Sequence, residues 1–473
     1  MTSVVILGGG PGGYEAALVG AQLGGEVILI ERDGLGGAAV LTDCVPSKTL
    51  IATAEVMSHI HRAEELGLHI WHGDDDTVAS SVQVDLRTIN QRVMALASAQ
   101  SQDITRKLVD QGIRVINGTG RLDGTERVVA TLPDGAQEVL EADIILVATG
   151  TTPRELDTAR CDGERILNWK QVYNLTELPE RLIVVGSGVT GAEFASAYDE
   201  LGVEVVLVSS REKVLPGQDE DAAGVLQDVF ERRGMEIRSK TRATGAYRDG
   251  DEVVVTLQDG GEVRGSHCLM AVGAIPNTQG LGLEEAGVQL TDSGHIITDK
   301  VSRTTARGVY AAGDCTGVFA LASVAAMQGR IAMWHSLGDA VTPLDLKTVS
   351  SNVFTSPEIA TVGITQDEVN ASELNIASIM LELDSNARAK MQGLHDGFVK
   401  LFCLPITGII VGGVVVAPHA SELIHPISLA VAERITVDQF SHDFTVYPSL
   451  TGSIAEAARQ LHTHGTPSSN ATV

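Results

Sequence analysis

The sequence has few cysteines and no long apolar run, and each shortage excludes a class of protein. Its five cysteines stand at positions 44, 161, 268, 315 and 403. They are scattered, odd in number and without zinc-ligand spacing, so they favour a reducing, cytoplasmic location over a disulfide framework or a metal site. The longest apolar run, at 406–418, is too short to span a bilayer and predicts a pair of buried strands. We therefore expect no metal and no integral membrane segment.

Basic side chains are also scarce, because 34 Lys plus Arg face 61 Asp plus Glu, a formal net charge of −27. Such a field repels nucleic acids and anionic lipid surfaces, so neither is expected as a partner. The 473 residues exceed what one hydrophobic core usually organises and predict two or three domains.

The stretch "VVILGGGPGGYEAA" near the N-terminus predicts a strand, a tight turn and a helix. Gly8 permits the turn, Gly10 lets a pyrophosphate approach the backbone, and Gly13 lets the helix meet the strand. The helix N-terminus supplies free N–H donors for the phosphates. A second strand, "GEVILIE", ends at Glu31, where a carboxylate can bind ribose hydroxyls. Together these features predict a dinucleotide site.

The same pattern returns in "RLIVVGSGVTGAEF", with Gly186, Gly188 and Gly191 between a predicted strand and helix. One chain therefore holds two dinucleotide sites. After the following strand, Ser209 stands where the first site has an acid, and Arg211 is close by.

A carboxylate at the position of Ser209 would repel a 2′-phosphate, whereas a hydroxyl with a nearby guanidinium could accept one. This favours NADPH, or tolerance of both NADPH and NADH. The alternative is that Arg211 is simply a solvated loop residue.

Two further strands predict the closure of the first site. "ADIILVATG" ends in Ala148, Thr149 and Gly150, and "RGVYAAGDC" ends in Gly313 and Asp314. Small residues at these strand ends allow the backbone to approach a ligand. The Asp314 carboxylate could bind a ribityl hydroxyl.

These motifs, together with "FTSPEIATVG", "GFVKLF" and "APHASELI" in the C-terminal region, resemble the flavoprotein disulfide reductases, above all dihydrolipoamide dehydrogenases. The resemblance runs from residue 3 to about residue 460. It implies an α/β fold class, with two Rossmann-like dinucleotide-binding domains, for FAD and NAD(P), and a C-terminal α+β dimerisation domain. It also implies a homodimer, or a higher oligomer.

The resemblance implies four parts of the chain. An FAD-binding domain is expected at 1–150 and 275–343, an NAD(P)-binding domain at 151–274, a dimerisation domain at 344–465, and a flexible tail at 466–473. The expected FAD-binding residues are Gly8, Gly10, Pro11, Gly12, Gly13, Glu31, Arg32, Gly37, Lys48, Gly120, Ala148, Thr149, Gly150, Gly313, Asp314, Leu321 and Ala322. The expected NAD(P)-binding residues are Gly186, Gly188, Gly191, Ser209, Arg211 and Gly273.

The chain departs from the family where substrate thiols react. The family has two redox cysteines with four residues between them, but this sequence has Ala39 and Cys44. The family's C-terminal histidine and its orienting glutamate correspond to Tyr447 and Gly452. A tyrosine titrates near pH 10 and is a poor base at neutral pH. Exchange thiol, base and orienter are therefore all missing.

The part of the family's machinery that reduces flavin is retained. Lys48 and Glu193 match its ion pair beside the flavin, and Cys44 matches the flavin-facing cysteine. The resemblance therefore implies catalytic roles for Lys48, Glu193 and Cys44 and places the chain in the NAD(P)H:quinone reductase branch, whose FAD passes electrons from NADPH or NADH to a small-molecule quinone.

Two alternatives stay open. A pyridine nucleotide transhydrogenase also lacks one cysteine, but as a branch it keeps the first and loses the second. A non-enzymatic flavin-bound redox sensor would use Cys44 as a reactive thiol. The intact Lys48, Glu193 and second nucleotide motif count against this last reading.

Overall fold

The computed structural model describes residues 1–63, 65–68, 83–371 and 375–462. The predicted tail at 466–473 lies outside the described residues, as does the predicted end of the dimerisation domain at 463–465.

The first part of the chain alternates strands and helices, as its glycine-punctuated apolar runs predict. Its elements are β1 (Ser3–Leu7), α1 (Pro11–Gln22), β2 (Glu26–Glu31), α2 (Gly37–Leu41), α3 (Cys44–His61), α4 (Leu86–Asp110), β3 (Arg114–Asn117), β4 (Thr119–Leu122), β5 (Arg127–Thr131), β6 (Gln137–Glu141) and β7 (Ile144–Val147).

Strand β1 lies in the middle of its sheet, and its apolar side chains are buried on both faces. Val4, Val5, Ile6 and Leu7 are each at most 2% exposed. β1 pairs in parallel with β2 on one side and β7 on the other, so the carboxyl ends of these strands meet at one edge. Strands β4, β5 and β6 form a separate antiparallel sheet. The parallel sheet thus brings the predicted FAD-binding turns together.

The middle part of the chain repeats this plan. Its elements are β8 (Thr151–Pro153), β9 (Ile166–Leu167), β10 (Arg181–Val185), α5 (Val189–Glu200), β11 (Glu204–Val208), α6 (Glu220–Arg232), β12 (Glu236–Arg238), β13 (Ala243–Asp249), β14 (Glu252–Leu257), β15 (Glu262–Gly265), β16 (His267–Met270) and β17 (Ala274–Pro276). A parallel sheet has the order β12-β11-β10-β16-β9, and β13, β14 and β15 form an antiparallel sheet. β8 and β17 pair antiparallel where the chain enters and leaves this part.

The chain then returns to the first sheet through β18 (Val309–Ala311) and α7 (Ala322–Ser336). β18 pairs in parallel with β7 and completes the order β18-β7-β1-β2-β3. α7 packs closely on α1, since a Cβ added at Gly329 would lie 2.1 Å from the carbonyl oxygen of Gly12. Two separated segments therefore share one sheet. The residue boundaries between domains stay a prediction.

The C-terminal part is an antiparallel sheet with helices. Its elements are β19 (Ser350–Val353), β20 (Glu358–Gly363), α8 (Gln366–Ala371), β21 (Ala377–Glu382), α9 (Ala387–Met391), β22 (Phe398–Cys403), β23 (Ile410–Ala417), α10 (Ala420–Ala432), α11 (Val437–Ser441) and α12 (Thr451–Leu461). The sheet order is β19-β20-β23-β22-β21.

The apolar run at 406–418 was expected to form two strands, and this expectation is wrong. The structure has one strand, β23, preceded by a turn in which the Gly408 N–H donates to the Leu404 carbonyl oxygen at 2.7 Å. Glycines 412 and 413 do not interrupt the strand, because both pair with β20 and β22. Other backbone approaches them closely, since a Cβ at Gly412 would lie 2.7 Å from the Ile364 nitrogen. The glycines therefore mark close packing rather than a second turn.

Candidate functional site

The first glycine-rich turn has a shape that only glycine fits. Gly8 has φ +100°, and a Cβ there would lie 2.3 Å from the carbonyl oxygen of Ala148. A Cβ at Gly13 would lie 1.8 Å from the carbonyl oxygen of Gly8. At Gly10, by contrast, no described atom lies within 4 Å of an added Cβ, and Pro11 follows as the first residue of α1. Space therefore opens in front of the helix N-terminus, as a bound pyrophosphate requires.

Glu31, at the end of β2, holds this turn. Its Oε2 accepts from the Gly9 N–H at 2.6 Å, and its Oε1 accepts from the N–H groups of Arg32 and Asp33 at 2.8 and 2.7 Å. The Arg32 side chain pairs with Asp33 at 3.0 Å and is exposed. The carboxylate thus lies beside the predicted pyrophosphate space, and its contact with a ribose stays a prediction.

The ends of β7 and β18 meet beside the same turn. The Thr149 hydroxyl donates to the Asn277 carbonyl oxygen at 2.7 Å, and the Thr151 hydroxyl donates to Asp314 Oδ2 at 3.3 Å. The Gly313 N–H donates to Gln328 Oε1 at 2.8 Å. Burial raises the pKa of Asp314 above its ordinary value. A half-buried carboxyl at a parallel strand end suits a hydroxyl-bearing ligand.

The other predicted FAD residues lie around this edge in different ways. A Cβ at Gly37 would lie 2.7 Å from the Gly10 Cα, so α2 begins against the turn. Leu321 is the N-cap of α7 and Ala322 its first residue. Gly120 packs against the side chains of β1 and β2, since a Cβ there would lie 3.0 Å from Ile30 and 3.1 Å from Leu7.

The second glycine-rich turn repeats the geometry of the first. A Cβ at Gly186 would lie 2.2 Å from the Ala271 carbonyl oxygen, and one at Gly191 would lie 1.8 Å from the Gly186 oxygen. Within the described part of the chain, nothing lies within 4 Å of a Cβ added at Gly188 or Gly273. The turn before α5 therefore offers a second open helix N-terminus at the ends of β10 and β16.

Ser209 occupies the position of Glu31, but its hydroxyl is turned inward. It is fully buried, lies 2.7 Å from the Ser187 hydroxyl, and accepts from the Arg211 N–H at 3.0 Å. Arg211 is exposed, and among the described residues no carboxylate forms an ion pair with its guanidinium. Ser209 therefore fixes the backbone that presents Arg211.

Lys48 and Glu193 are brought together from α3 and α5. Lys48 Nζ lies 2.8 Å from Glu193 Oε2, and Glu193 is only 4% exposed. The other carboxylate oxygen accepts from the Phe354 N–H at 3.0 Å, and Lys48 Nζ lies 4.9 Å from the centroid of the Phe354 ring. Sequence reasoning missed Phe354, which comes from the C-terminal part of the chain.

The electrostatics of this region keep the lysine charged and the thiol neutral. Burial lowers the pKa of Lys48, but the acidic groups around it, Glu193 above all, outweigh that effect and hold the pKa above its ordinary value. Burial, and then the charge of Asp43, raise the pKa of Cys44 to about 11. Cys44 is the first residue of α3 and is protonated at neutral pH, so it lacks the thiolate that thiol exchange needs.

Asp43 is a second feature that sequence reasoning missed. It is the N-cap of α3, yet its side chain makes no capping hydrogen bond. Burial raises its pKa, and the charges of Lys48, Glu193 and Asp314 act on it. An acid directly before Cys44 was the available signal. These groups therefore share one electrostatic neighbourhood.

The three positions at which the sequence departs from the family's pattern lie in different parts of the fold. Ala39 is in α2, and Gly452 is near the start of α12. Tyr447 is 86% exposed. His442, which directly follows α11 and lies five residues before Tyr447, is exposed and contacts the Asp438 carbonyl oxygen at 2.6 Å.

Sequence comparison identifies the family. The profile of the pyridine nucleotide-disulphide oxidoreductases matches residues 2–329, and the dimerisation-domain profile of the same family matches residues 349–458. The chain belongs to this family. The pyridine nucleotide-disulphide oxidoreductases use FAD and NAD(P)H, and the two open glycine-rich turns with their strand-end carboxyls fit those groups.

Relatives in this family cover almost the whole chain. The chain is 54% identical to an NAD(P)H dehydrogenase (quinone) of Mycobacterium tuberculosis H37Rv, over 98% of this chain and 94% of the relative. It is 31% identical to a dihydrolipoyl dehydrogenase of Zymomonas mobilis, over 97% of this chain and 98% of the relative.

Two solved structures share the fold of this chain. The crystal structure of LpdA from Mycobacterium tuberculosis matches with a TM-score of 0.93 and 52% identity, covering 98% of this chain and 100% of that one. The HOCl-induced flavoprotein disulfide reductase RclA from Escherichia coli matches with a TM-score of 0.85 at 22% identity, covering 97% and 99%. This second likeness shows the fold alone. Within the described ranges, no helix has the length and apolar character of a membrane span.

Proposed function

We propose that this protein is an NAD(P)H:quinone oxidoreductase, which passes reducing equivalents from NADPH or NADH through FAD to a quinone or a similar aromatic acceptor. It has no dihydrolipoamide dehydrogenase activity in this proposal. The observation that carries it is the combination of an intact Lys48–Glu193 pair with a single Cys44 whose family partner position is Ala39. Burial raises the pKa of this thiol to about 11, which favours its protonated form at neutral pH.

The bound flavin supplies two-electron chemistry and can deliver electrons to a flat, conjugated acceptor. The chain supplies binding and electrostatics. The Lys48 ammonium is held in place by Glu193, which itself accepts from the Phe354 N–H, so Lys48 would place a positive charge beside a bound flavin on which negative charge develops on reduction. Cys44 keeps its proton and adds no competing negative charge.

The name of the 54% identical relative from Mycobacterium tuberculosis, NAD(P)H dehydrogenase (quinone), supports this proposal. The dihydrolipoyl dehydrogenase of Zymomonas mobilis is more distant, at 31%. The missing exchange thiol and base give a physical reason for placing this chain with the quinone reductase.

The coenzyme preference follows from the loop after β11. Ser209 is neutral and holds the Arg211 backbone, and among the described residues no carboxylate forms an ion pair with the exposed Arg211 guanidinium. The 2′-phosphate of NADPH therefore meets a cation rather than an acid. We infer that NADPH is used at least comparably with NADH.

The cofactor-binding sets and domain limits named in Sequence analysis belong to the same proposal. The chain works as a homodimer through its dimerisation domain, in the cytoplasm, without a nucleic-acid partner. The charge of −27 supports the last point, and the matched dimerisation-domain profile supports the homodimer.

One panel of absorbance assays tests the proposal on the purified, flavin-bound protein. We expect NADPH oxidation with a benzoquinone and no NAD⁺ reduction with dihydrolipoamide. Reduction of a thio-NAD⁺ analogue by NADPH should be no faster than reduction of the benzoquinone. Protein that releases no FAD on denaturation, or that turns over dihydrolipoamide but not quinone, contradicts the proposal.

A further inference from the structure

Tyr173 carries a buried hydroxyl that the account above does not use. It lies in a 3₁₀ helix at Val172–Asn174 and is 6% exposed. Among the described residues, its hydroxyl has no hydrogen-bond partner. A buried polar group without a partner is destabilising, so such groups in folded proteins call for a ligand or a bound water.

The position of the ring is fixed. It packs against the Phe194 ring with centroids 6.3 Å apart, and Phe194 follows Glu193 on α5. Just after the 3₁₀ helix, the Leu175 carbonyl oxygen accepts from Asn90 Nδ2 at 2.8 Å, which ties this segment to α4. The hydroxyl therefore has little freedom to find a partner elsewhere.

The ring lies near the Lys48–Glu193 pair, because its packing partner Phe194 follows Glu193 on α5. Burial raises the pKa of Tyr173 well above its ordinary value, and the negative charges of Asp43 and Glu193 raise it further. Asp43 is the N-cap of α3, and Glu193 pairs with Lys48. Tyr173 is consequently neutral at all working pH values and can act only as a hydrogen-bond donor or acceptor.

We propose that Tyr173 is a positioning residue whose hydroxyl donates a hydrogen bond to the flavin ring system bound beside Cys44 and Lys48. The inference rests on the proposed function, because it takes the flavin to lie at that pair. A neutral donor among the acidic groups Asp43 and Glu193 stabilises an electron-rich ring without adding charge. Reduction makes the ring a stronger acceptor, so the hydroxyl favours the reduced form.

The test is Tyr173→Phe in the FAD-loaded protein, which removes the hydroxyl and keeps the ring. We expect the equilibrium constant for flavin reduction, measured by titration against a redox dye, to fall about tenfold, equivalent to about 30 mV for a two-electron couple. The oxidised flavin absorption should shift as well.

Tyr310→Phe is the matched control. Tyr310 lies in β18, and its hydroxyl contacts Nδ1 of His335 in α7 at 2.9 Å. The charges that act on it are those of Arg303 and Asp299, not those of Asp43 and Glu193. This variant should leave both the equilibrium and the flavin spectrum unchanged.

An unchanged equilibrium and spectrum in Tyr173→Phe overturn the proposal and indicate that the hydroxyl binds a buried water instead. If that variant does not retain FAD, the infrared difference spectrum between reduced and oxidised wild-type protein decides. A tyrosine C–O band that shifts on reduction supports the hydrogen bond, and its absence overturns it. Wild-type protein that lacks FAD or quinone reduction would instead refute the proposed function.

Discussion

Replacing Glu193 by Gln removes the charge that pairs with Lys48 while keeping the side chain's shape and an acceptor for the Phe354 N–H. The side chains of Glu193 and Lys48 are 5% and 29% exposed, so solvent compensates little for the lost contact. A hydrogen bond to a charged group contributes about 1.5–3 kcal/mol. Since about 1.4 kcal/mol changes a rate tenfold, we expect flavin reduction by NADPH to slow roughly 10- to 100-fold.

The variant should also change the pH dependence. In the wild type, Glu193 outweighs the burial of Lys48 and holds its pKa above the ordinary value. Without that carboxylate, burial lowers the pKa, so Lys48 loses its proton at a lower pH. Reduction by the variant should therefore weaken further as pH rises through the alkaline range in which the wild type is still active.

The measurement is single-turnover loss of flavin absorbance after mixing with NADPH, repeated across pH. Glu200→Gln is a matched control, because Glu200 is buried on the same helix and contacts Arg233 at 3.4 Å and Ser58, away from Lys48. The control should lose stability but keep the reduction rate. If Glu193→Gln reduces flavin as fast as Glu200→Gln, with the wild-type pH profile, the role assigned to this ion pair is wrong.

Three further changes have defined outcomes. Arg211→Ala should weaken the binding of NADPH by about 1–3 kcal/mol, seen as a higher KM, and leave the KM for NADH unchanged. Arg160→Ala, which removes a surface ion pair with Asp157, is the control. An equal loss for both coenzymes would mean that Arg211 is only structural. Burial raises the pKa of Asp199 to about 6, so its ionisation costs stability as pH rises through that value; Asp199→Asn should raise Tm at pH 8 and not at pH 4, and a constant difference would contradict this. The new cysteine in Ala39→Cys should form a disulfide with Cys44, which thiol titration detects. The variant should not gain dihydrolipoamide turnover, because Tyr447 and Gly452 supply no base, and any such turnover would refute the reasoning.

The nucleotide-binding framework could be predicted from the sequence because its signals are local. Apolar runs, glycine spacing and the end of β2 at Glu31 all lie within about thirty residues of one another, and the structure has the predicted strand, turn and helix at both motifs. The order β18-β7-β1-β2-β3 needed the family resemblance, since β18 joins from a distant segment.

The polar environment of the site could not be predicted, because it depends on contacts between distant segments. Phe354 reaches Glu193 across 161 residues, and no local pattern marks it. In the sequence, nothing distinguishes Tyr173 from other core aromatic residues; only the structure shows that its hydroxyl has no hydrogen-bond partner among the described residues. Ser209 was expected to accept a 2′-phosphate together with Arg211, which stays a prediction, and the sequence did not indicate that its hydroxyl lies 2.7 Å from the Ser187 hydroxyl. Side-chain direction is set by packing, which the sequence alone does not show.

Direct transfer from flavin to the acceptor, without a thiol, is the central claim, and quinone reduction by Cys44→Ala tests it most directly. Burial raises the pKa of Cys44 to about 11, so the wild-type thiol is neutral and its loss changes little charge. With turnover normalised to bound FAD, we expect NADPH-dependent benzoquinone reduction within about tenfold of wild type, or about 1.4 kcal/mol. Loss of quinone turnover in a variant whose FAD stays bound and reducible by NADPH would show that the lone cysteine carries the electrons and would contradict the account.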